Sequence, residues 1–344
     1  SNAKDMSVFA KSSRFWSICT AIGVSIFCSG RVSAVVVAGA SGGGNTSNNT
    51  TQEQMESELG ISDASFYQNV IAYSDAGAVY IGWADTDNGR RAYALTAQHI
   101  TFASTLVING ITYSVTRTQI SNSDVALLTL SQTEGLMPSL SALTLASTTP
   151  SIGTSVIMAG FGRDRVQDAA TTPNGSDAVV LVTGSTGYTT ETQTIKRWGT
   201  NTTASIGGLP TTQIAISGTT VVAATVFSQP GNGQWLSTNE AQAVRGDSGG
   251  GVFSNSGVLY GLMSTVSNPS EVGTVAFFGQ ATYFSNISTY KGAIESAIGY
   301  ALIPEPSPVL LLLVAGIGLF GVLRWKNRPA AAAISGDIIR EKNP

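Results

Sequence analysis

Ser248 lies in the string Arg245-Gly246-Asp247-Ser248-Gly249-Gly250, and His99, the single histidine of 344 residues, closes Leu95-Thr96-Ala97-Gln98-His99. A serine hydroxyl is a poor nucleophile until an imidazole accepts its proton, so a chain with one histidine has one way to run that chemistry. Gly246, two residues before the serine, permits the tight turn in which the backbone N–H groups of Gly246 and Ser248 face a developing oxyanion. Gly249 and Gly250 are expected to keep the approach to Ser248 open. A carboxylate must then orient the imidazole and stabilise its protonated form. Asp124, in Asn122-Ser123-Asp124-Val125-Ala126-Leu127-Leu128, heads an apolar strand pattern and is the first candidate; Asp85 and Asp87, in a polar loop before His99, are the others.

The elements that must hold these groups read as short strands. Runs rich in Val, Ile, Thr, Tyr and Phe recur through residues 78–283, at 79–83, 92–95, 105–108, 112–115, 125–128 and 221–226, separated by Gly, Asn, Asp and Pro. Asn109-Gly110 stands between two of them, where a two-residue hairpin turn needs positive φ. The pattern predicts an all-β, antiparallel sandwich or barrel. A short helix is expected within 57–68 and a stronger one at 290–301.

The ends have other roles. Ser1-Asn2-Ala3 reads as an expression scar; Lys11, Arg14, the apolar stretch 15–27 and the small residues of Val32-Ser33-Ala34 read as a signal peptide, so that 1–34 is expected to be removed on export. Both cysteines, Cys19 and Cys28, fall in that segment, so a chain cut after Ala34 has no disulfide, no thiol nucleophile and no cysteine zinc site. Residues 35–68 are expected to be a flexible linker and pre-domain segment, with 40–51 rich in Gly, Ser, Asn and Thr. Pro304-Glu305-Pro306 precedes an apolar run, 309–323, and the basic residues Arg324, Lys326 and Arg328. That order predicts a short hydrophobic transmembrane helix with a positive flank over 304–328, followed by a tail at 329–344. Acidic residues outnumber basic ones from Val35 to Ile303 and no basic stripe occurs, which argues against a nucleic-acid partner. No metal-ligand cluster is visible, and the chemistry requires no metal or cofactor.

The phrases around His99, Asp124 and Ser248, in that order, resemble the trypsin/chymotrypsin superfamily of serine proteases; Gly153-Thr154 with Gly160-Phe161-Gly162 resembles its mid-chain strand phrase. The resemblance spans residues 70–300. It implies, within 69–303, two antiparallel six-stranded β-barrels with a cleft between them and a short C-terminal helix. His99 would be general base and acid, Asp124 its orienter, Ser248 the nucleophile, and the Gly246 and Ser248 amides the oxyanion hole. Gln242 would lie at the base of the primary pocket and Ser264, Thr265 and Val266 would form the wall on which substrate backbone pairs. With no acid at that base, and Val266 where trypsin-like members carry glycine, the resemblance implies a polypeptide substrate with small or medium neutral side chains before the scissile bond. Ile100 replaces a cysteine of the family pattern and Gly251 a proline. No Ile-Val-Gly-Gly start precedes His99, so Asp247 is expected to lack the amino-terminal partner of zymogen-activated members, with the oxyanion turn preformed. The tail resembles the PEP-CTERM sorting signal of Gram-negative bacteria, which implies an exosortase-type enzyme as partner, the inner membrane before processing, and a place in the periplasm, cell envelope or extracellular matrix. Two other classes stay open: a catalytically silent protease fold used as a surface binding or matrix protein, and an esterase using the same acyl-enzyme chemistry.

Overall fold

Asn109 and Gly110 take φ values of 50° and 80°, the pair of positive angles that a two-residue hairpin turn requires, and the strands on either side pair in register from Ile108↔Ile111 to Thr105↔Ser114. The computed structural model, which describes residues 35–37, 50–165, 179–180, 186–228, 239–267, 275–300 and 302, has two large antiparallel sheets beside a four-stranded and a two-stranded one. The elements of the first half are β1 (Val36–Val37), α1 (Gln52–Leu59), β2 (Val70–Tyr73), β3 (Ala76–Thr86), β4 (Gly89–Thr96), β5 (Thr105–Ile108), β6 (Ile111–Gln119) and β7 (Ala126–Ser131). Those of the second are β8 (Ser155–Gly160), β9 (Arg163–Arg165), β10 (Val179–Val180), β11 (Thr186–Thr194), β12 (Arg197–Ala204), β13 (Thr212–Ala215), β14 (Thr219–Val226), β15 (Ala241–Gln242), β16 (Gly251–Phe253), β17 (Leu259–Val266), β18 (Val275–Phe277), β19 (Ala281–Asn286) and α2 (Ile287–Ile298).

The first sheet runs β2-β3-β4-β7-β6-β5, and its ends curl until β2 lies beside β5. The second runs β12-β8-β16-β17-β19-β14, and β14 pairs back onto β12 through Thr203↔Thr225 and Ala204↔Ala224. Six strands therefore close into a ring, with β13 added on the outside of β14. The architecture is the all-β pair of antiparallel barrel-like sheets with a short C-terminal helix.

Burial patterns tell which strands face the other barrel. β6 alternates buried and open positions, as expected of a strand with one wet face. From Ala76 to Gly82, β3 is buried at every position, because one face fills its own barrel and the other meets the second barrel. Val79, Leu95 and Leu127 from the first sheet share a core cluster with Ile157, Trp198 and Phe253 from the second and Ile294 of α2. A separate cluster, with Tyr80, Tyr113 and Leu128, fills the first barrel.

The segment before the barrels departs from the expected linker. An α-helix forms at Gln52–Leu59, overlapping only the start of the expected 57–68, because Thr51 and Gln54 make a reciprocal capping box and Gly60 stops the helix at φ 63°; a short 3₁₀ helix, Ser65–Asn69, covers the other end. Met55, Phe66 and Tyr67 are buried against the barrel core, and the Trp198 indole N–H donates to the Thr51 carbonyl at 3.1 Å. Local capping decided the helix, and tertiary burial fixed the segment. Helix α2 likewise starts earlier than expected and ends at Gly299, φ 72°. The leader and the apolar run 309–323 lie outside the described residues. Among the described residues no helix is long and apolar enough to cross a membrane.

Candidate active site

His99 follows the end of β4, and its backbone N–H donates to Asp124 Oδ1 at 2.9 Å. Its Nδ1 lies 3.0 Å from Oδ1 and 2.9 Å from Oδ2 of the same carboxylate. With an acceptor-only group on that side, Nδ1 carries the ring proton, and the Nε2 lone pair is left to face the other way. There it meets Ser248 Oγ at 2.8 Å. The three side chains separated in sequence are thus one continuous hydrogen-bonded line, open at the serine end: Asp124 has no exposed surface, while the His99 side chain is 32% exposed. Asp85 takes no part in this line; it pairs with Arg90 on the surface.

Both barrels hold Asp124. Its backbone N–H donates to Thr220 Oγ1 at 2.8 Å, and that hydroxyl donates to the Ile216 carbonyl at 3.0 Å. Thr220 belongs to β14, so the second barrel grips the residue that orients the imidazole of the first. Arg117 adds a brace, donating from one guanidinium nitrogen to the carbonyls of Ile100 at 2.9 Å and Gln98 at 3.4 Å on either side of His99. Neither Thr220 nor Arg117 carries a signal in the sequence, because each acts through backbone groups far along the chain.

The turn that presents Ser248 is set by glycines whose roles differ from the expected one. Gly246 sits at φ 97° and Gly249 at φ 79°. A Cβ on Gly249 would strike the Gly77 carbonyl and the Thr96 hydroxyl, so this glycine lets the first barrel close against the turn rather than clearing a path to the serine. The contact is stitched by Gly77 N–H donating to the Ser248 carbonyl at 2.9 Å and Thr96 Oγ1 donating to the Gly77 carbonyl at 2.6 Å. A Cβ on Gly251, which stands where the family pattern has proline, would enter the Phe253 ring.

Asp247, between the two expected oxyanion donors, is buried to 1% exposure. Its Oδ1 accepts from the N–H groups of Gly162 at 2.7 Å and Val35 at 3.1 Å, and its Oδ2 from that of Val244 at 2.8 Å. Burial pushes its pKa up to about 7, against the pull of those three bonds. The phrase Gly160-Phe161-Gly162 now has a physical reason: a Cβ on either glycine would occupy the space of this carboxylate. The segment ahead of the barrels reaches Asp247 through a backbone amide, since Val35 N–H donates to it from 212 residues away.

Two depressions flank Ser248. One, of about 320 Å³, is lined by Ala243, Val244, Met263, Ser264, Thr265 and Val266 together with His99, Gly246 and Ser248. β16 pairs with β17 as far as Leu262, and Met263 bonds to Gly249 and Gly250; Ser264, Thr265 and Val266 continue past that pairing along the cavity. Gln242 is not among the lining residues. Ala243 and Val244 line the cavity just past the end of β15, while Gln242 is buried within that strand opposite Val36, its Nε2 donating to the Ala243 carbonyl at 3.2 Å. The second depression, of about 560 Å³, lies on the other side of His99 and Ser248 and is lined by Asp75, Ile100, Thr101, Phe161, Arg163 and Arg245. Among the described residues no group of three or more His, Cys, Asp or Glu side chains is placed to hold a metal ion.

No protein-family model matches the chain, and no curated protein matches it. Among solved structures it is similar to kallikrein-related peptidase 10 in complex with Zn2+, at 14% identity over 69% of this chain and 98% of that one, with a TM-score of 0.43. It is similar to the active form of the Rv3671c protease from M. tuberculosis, at 14% identity over 67% of this chain and 76% of that one, TM-score 0.37. A third likeness is to the HtrA-type protease AlgW with a decapeptide, at 16% identity over 66% of this chain and 52% of that one, TM-score 0.39.

Proposed function

We propose that this chain is a serine endopeptidase. The observation that carries the reading is the unbroken line from Asp124 through His99 to Ser248, with 2.8 Å between imidazole and hydroxyl. As Ser248 Oγ bonds to the substrate carbonyl carbon, its proton passes to His99 Nε2, and the imidazolium is stabilised by the Asp124 carboxylate at 2.9 Å. The carbonyl oxygen takes the negative charge and is met by the N–H groups of Gly246 and Ser248. Collapse expels the amine, which takes the proton from Nε2 and leaves an ester on Ser248. Water, deprotonated by the same nitrogen, then repeats the sequence, returns the proton to Ser248 Oγ and releases the acid.

The smaller depression, walled by Val266 and floored by Ala243 and Val244, suits a small or medium neutral side chain before the scissile bond. Strand addition along Ser264, Thr265 and Val266 would hold the substrate backbone. Export is supported by the leader pattern in 1–34, and delivery to the envelope by the PEP-CTERM-like order in 304–328, with an exosortase-type enzyme as the processing partner.

Titration with an organophosphonate tests the nucleophile. The wild-type chain should take up one label, and Ser248→Ala none, with turnover of a peptide mixture falling on the order of 10⁶-fold. Label retained in Ser248→Ala would end the proposal. Ester turnover without peptide cleavage would transfer it to the esterase class.

A further inference from the structure

We propose that Arg163 and Arg245, on the wall of the larger depression beside His99, select substrates that carry an aspartate or glutamate at one of the two positions after the scissile bond. The inference rests on the peptidase reading and names the substrate class on the side which that reading left open.

Proton transfer assigns the side. In the proposed reaction the leaving amine takes its proton from His99 Nε2, so the peptide beyond the bond passes His99. Ile100 and Thr101, which directly follow His99, line only the larger depression, of about 560 Å³, whereas Ser264, Thr265 and Val266 line only the smaller one. His99, Gly246 and Ser248 border both, so the two spaces meet at the reacting bond. Arg245 borders both as well, but Arg163 borders only the larger. Two cations therefore converge beyond the bond, and one stands before it.

The arginine pair is held together by the backbone. Arg163 N–H donates to the Arg245 carbonyl at 3.1 Å, and a Cβ on Gly246 would lie 3.0 Å from the Gly162 Cα, so the loops before β9 and before Ser248 are in close contact. Like charges are thus kept side by side on the second barrel, Arg245 exposed and Arg163 half-buried. The first barrel contributes Ser74, Asp75 and Thr101 to the same space. Asp75 is the one carboxylate among the described residues that line it, and among the described residues no ion pair joins Asp75 to either arginine. Both guanidinium groups stay charged at any working pH, and each presents a planar fork of N–H donors that matches a carboxylate. A cleft focuses the field of such a pair, favouring an acidic side chain and repelling a lysine. Arg245 directly precedes Gly246, the proposed oxyanion donor, and each further substrate residue adds about 3.3–3.6 Å; its charge accordingly acts on the first positions after the bond and not on remote ones.

The test uses the full chain and peptides amidated at their C-terminus, with alanine before the scissile bond and glutamate, glutamine or lysine at either of the two positions after it. At one or both positions kcat/KM for glutamate should exceed that for glutamine about tenfold, with lysine below glutamine. Arg163→Gln combined with Arg245→Gln should bring the glutamate-to-glutamine ratio to about one, and Arg245→Glu should place lysine above glutamine. The ratio is the readout because a general folding defect lowers both rates together and leaves it unchanged. Equal wild-type rates for glutamate and glutamine, or a ratio that survives the double substitution, overturn the inference and leave the peptidase reading standing. If no peptide is cut, the peptidase reading fails and binding decides, with dye-labelled peptides of the same series titrated onto the Ser248→Ala chain. Tighter binding of the glutamate peptides that disappears with the two arginines supports the selection, and equal binding overturns it.

Discussion

Asp124 and Asp247 are both buried carboxylates, yet the proposed reaction asks opposite things of them. Asp124 faces one imidazole and is positioned through its backbone by Thr220 of the other barrel. Asp247 accepts from three described backbone amides and is positioned by glycines that leave it room. In the proposed reaction the first needs a partner whose charge appears and disappears; the second needs its surroundings to stay fixed, because the proposed oxyanion donors are its chain neighbours. Burial alone therefore does not define a catalytic acid. What differs is whether the group opposite can change its charge.

The contrast is broken most severely at Asp124. Asp124→Asn keeps shape but can stabilise the tautomer with the proton on Nε2, which cannot accept from Ser248; kcat should fall about 10⁴-fold, as in other triads, and pre-steady-state kinetics would place the loss in acylation. A loss under tenfold would mean that the carboxylate does not set the tautomer.

A second prediction concerns pH and separates the two aspartates without an assay of activity. The folded pKa of Asp247 lies above its unfolded value, so its stabilising contribution is complete below pH 4 and is lost as pH rises through about 7. In a chain whose Val35 nitrogen is an amide, this lowers unfolding free energy by up to about 4 kcal/mol between those limits. Asp247→Asn should flatten that part of a urea-denaturation profile. Lys196, half-buried with its ammonium 4.2 Å from the centre of the Tyr67 ring, has its pKa lowered to about 7 by desolvation. Its penalty is relieved only from pH 7 upward, so it does not mask the Asp247 slope. An unchanged profile in Asp247→Asn would show that the carboxylate is already compensated.

The smallest effect is expected at Thr220. Thr220→Val removes the acceptor for Asp124 N–H inside the fold and should cost about 1–3 kcal/mol of stability, with a larger relative loss in kcat than in substrate affinity. Equal losses in both would assign Thr220 to packing alone.

The proposed catalytic groups were readable because each sits in a short contiguous phrase whose chemistry limits the choice of residue: a lone His99, an apolar strand behind Asp124, glycines around Ser248. The antiparallel all-β class followed from strand-length apolar runs and from Asn109-Gly110, and the two barrels from the family resemblance. What the residue string concealed were contacts between distant backbones. Nothing near Asp124 announces Thr220, and nothing near Asp247 announces Val35. Gln242 was assigned to the primary pocket by resemblance, yet its neighbours Ala243 and Val244 line the space. The helix at Gln52–Leu59 was missed for a local reason, since Thr51 and Gln54 form a capping signal inside a polar stretch that composition alone reads as loose.

The hold of Thr220 on Asp124 has a mechanical consequence. In the proposed reaction, proton relay in the first barrel is calibrated by a hydroxyl on the second, so slackening between the halves would reach the imidazole before either half melts. Warming would then stop the proposed hydrolysis at temperatures where the strands are still intact.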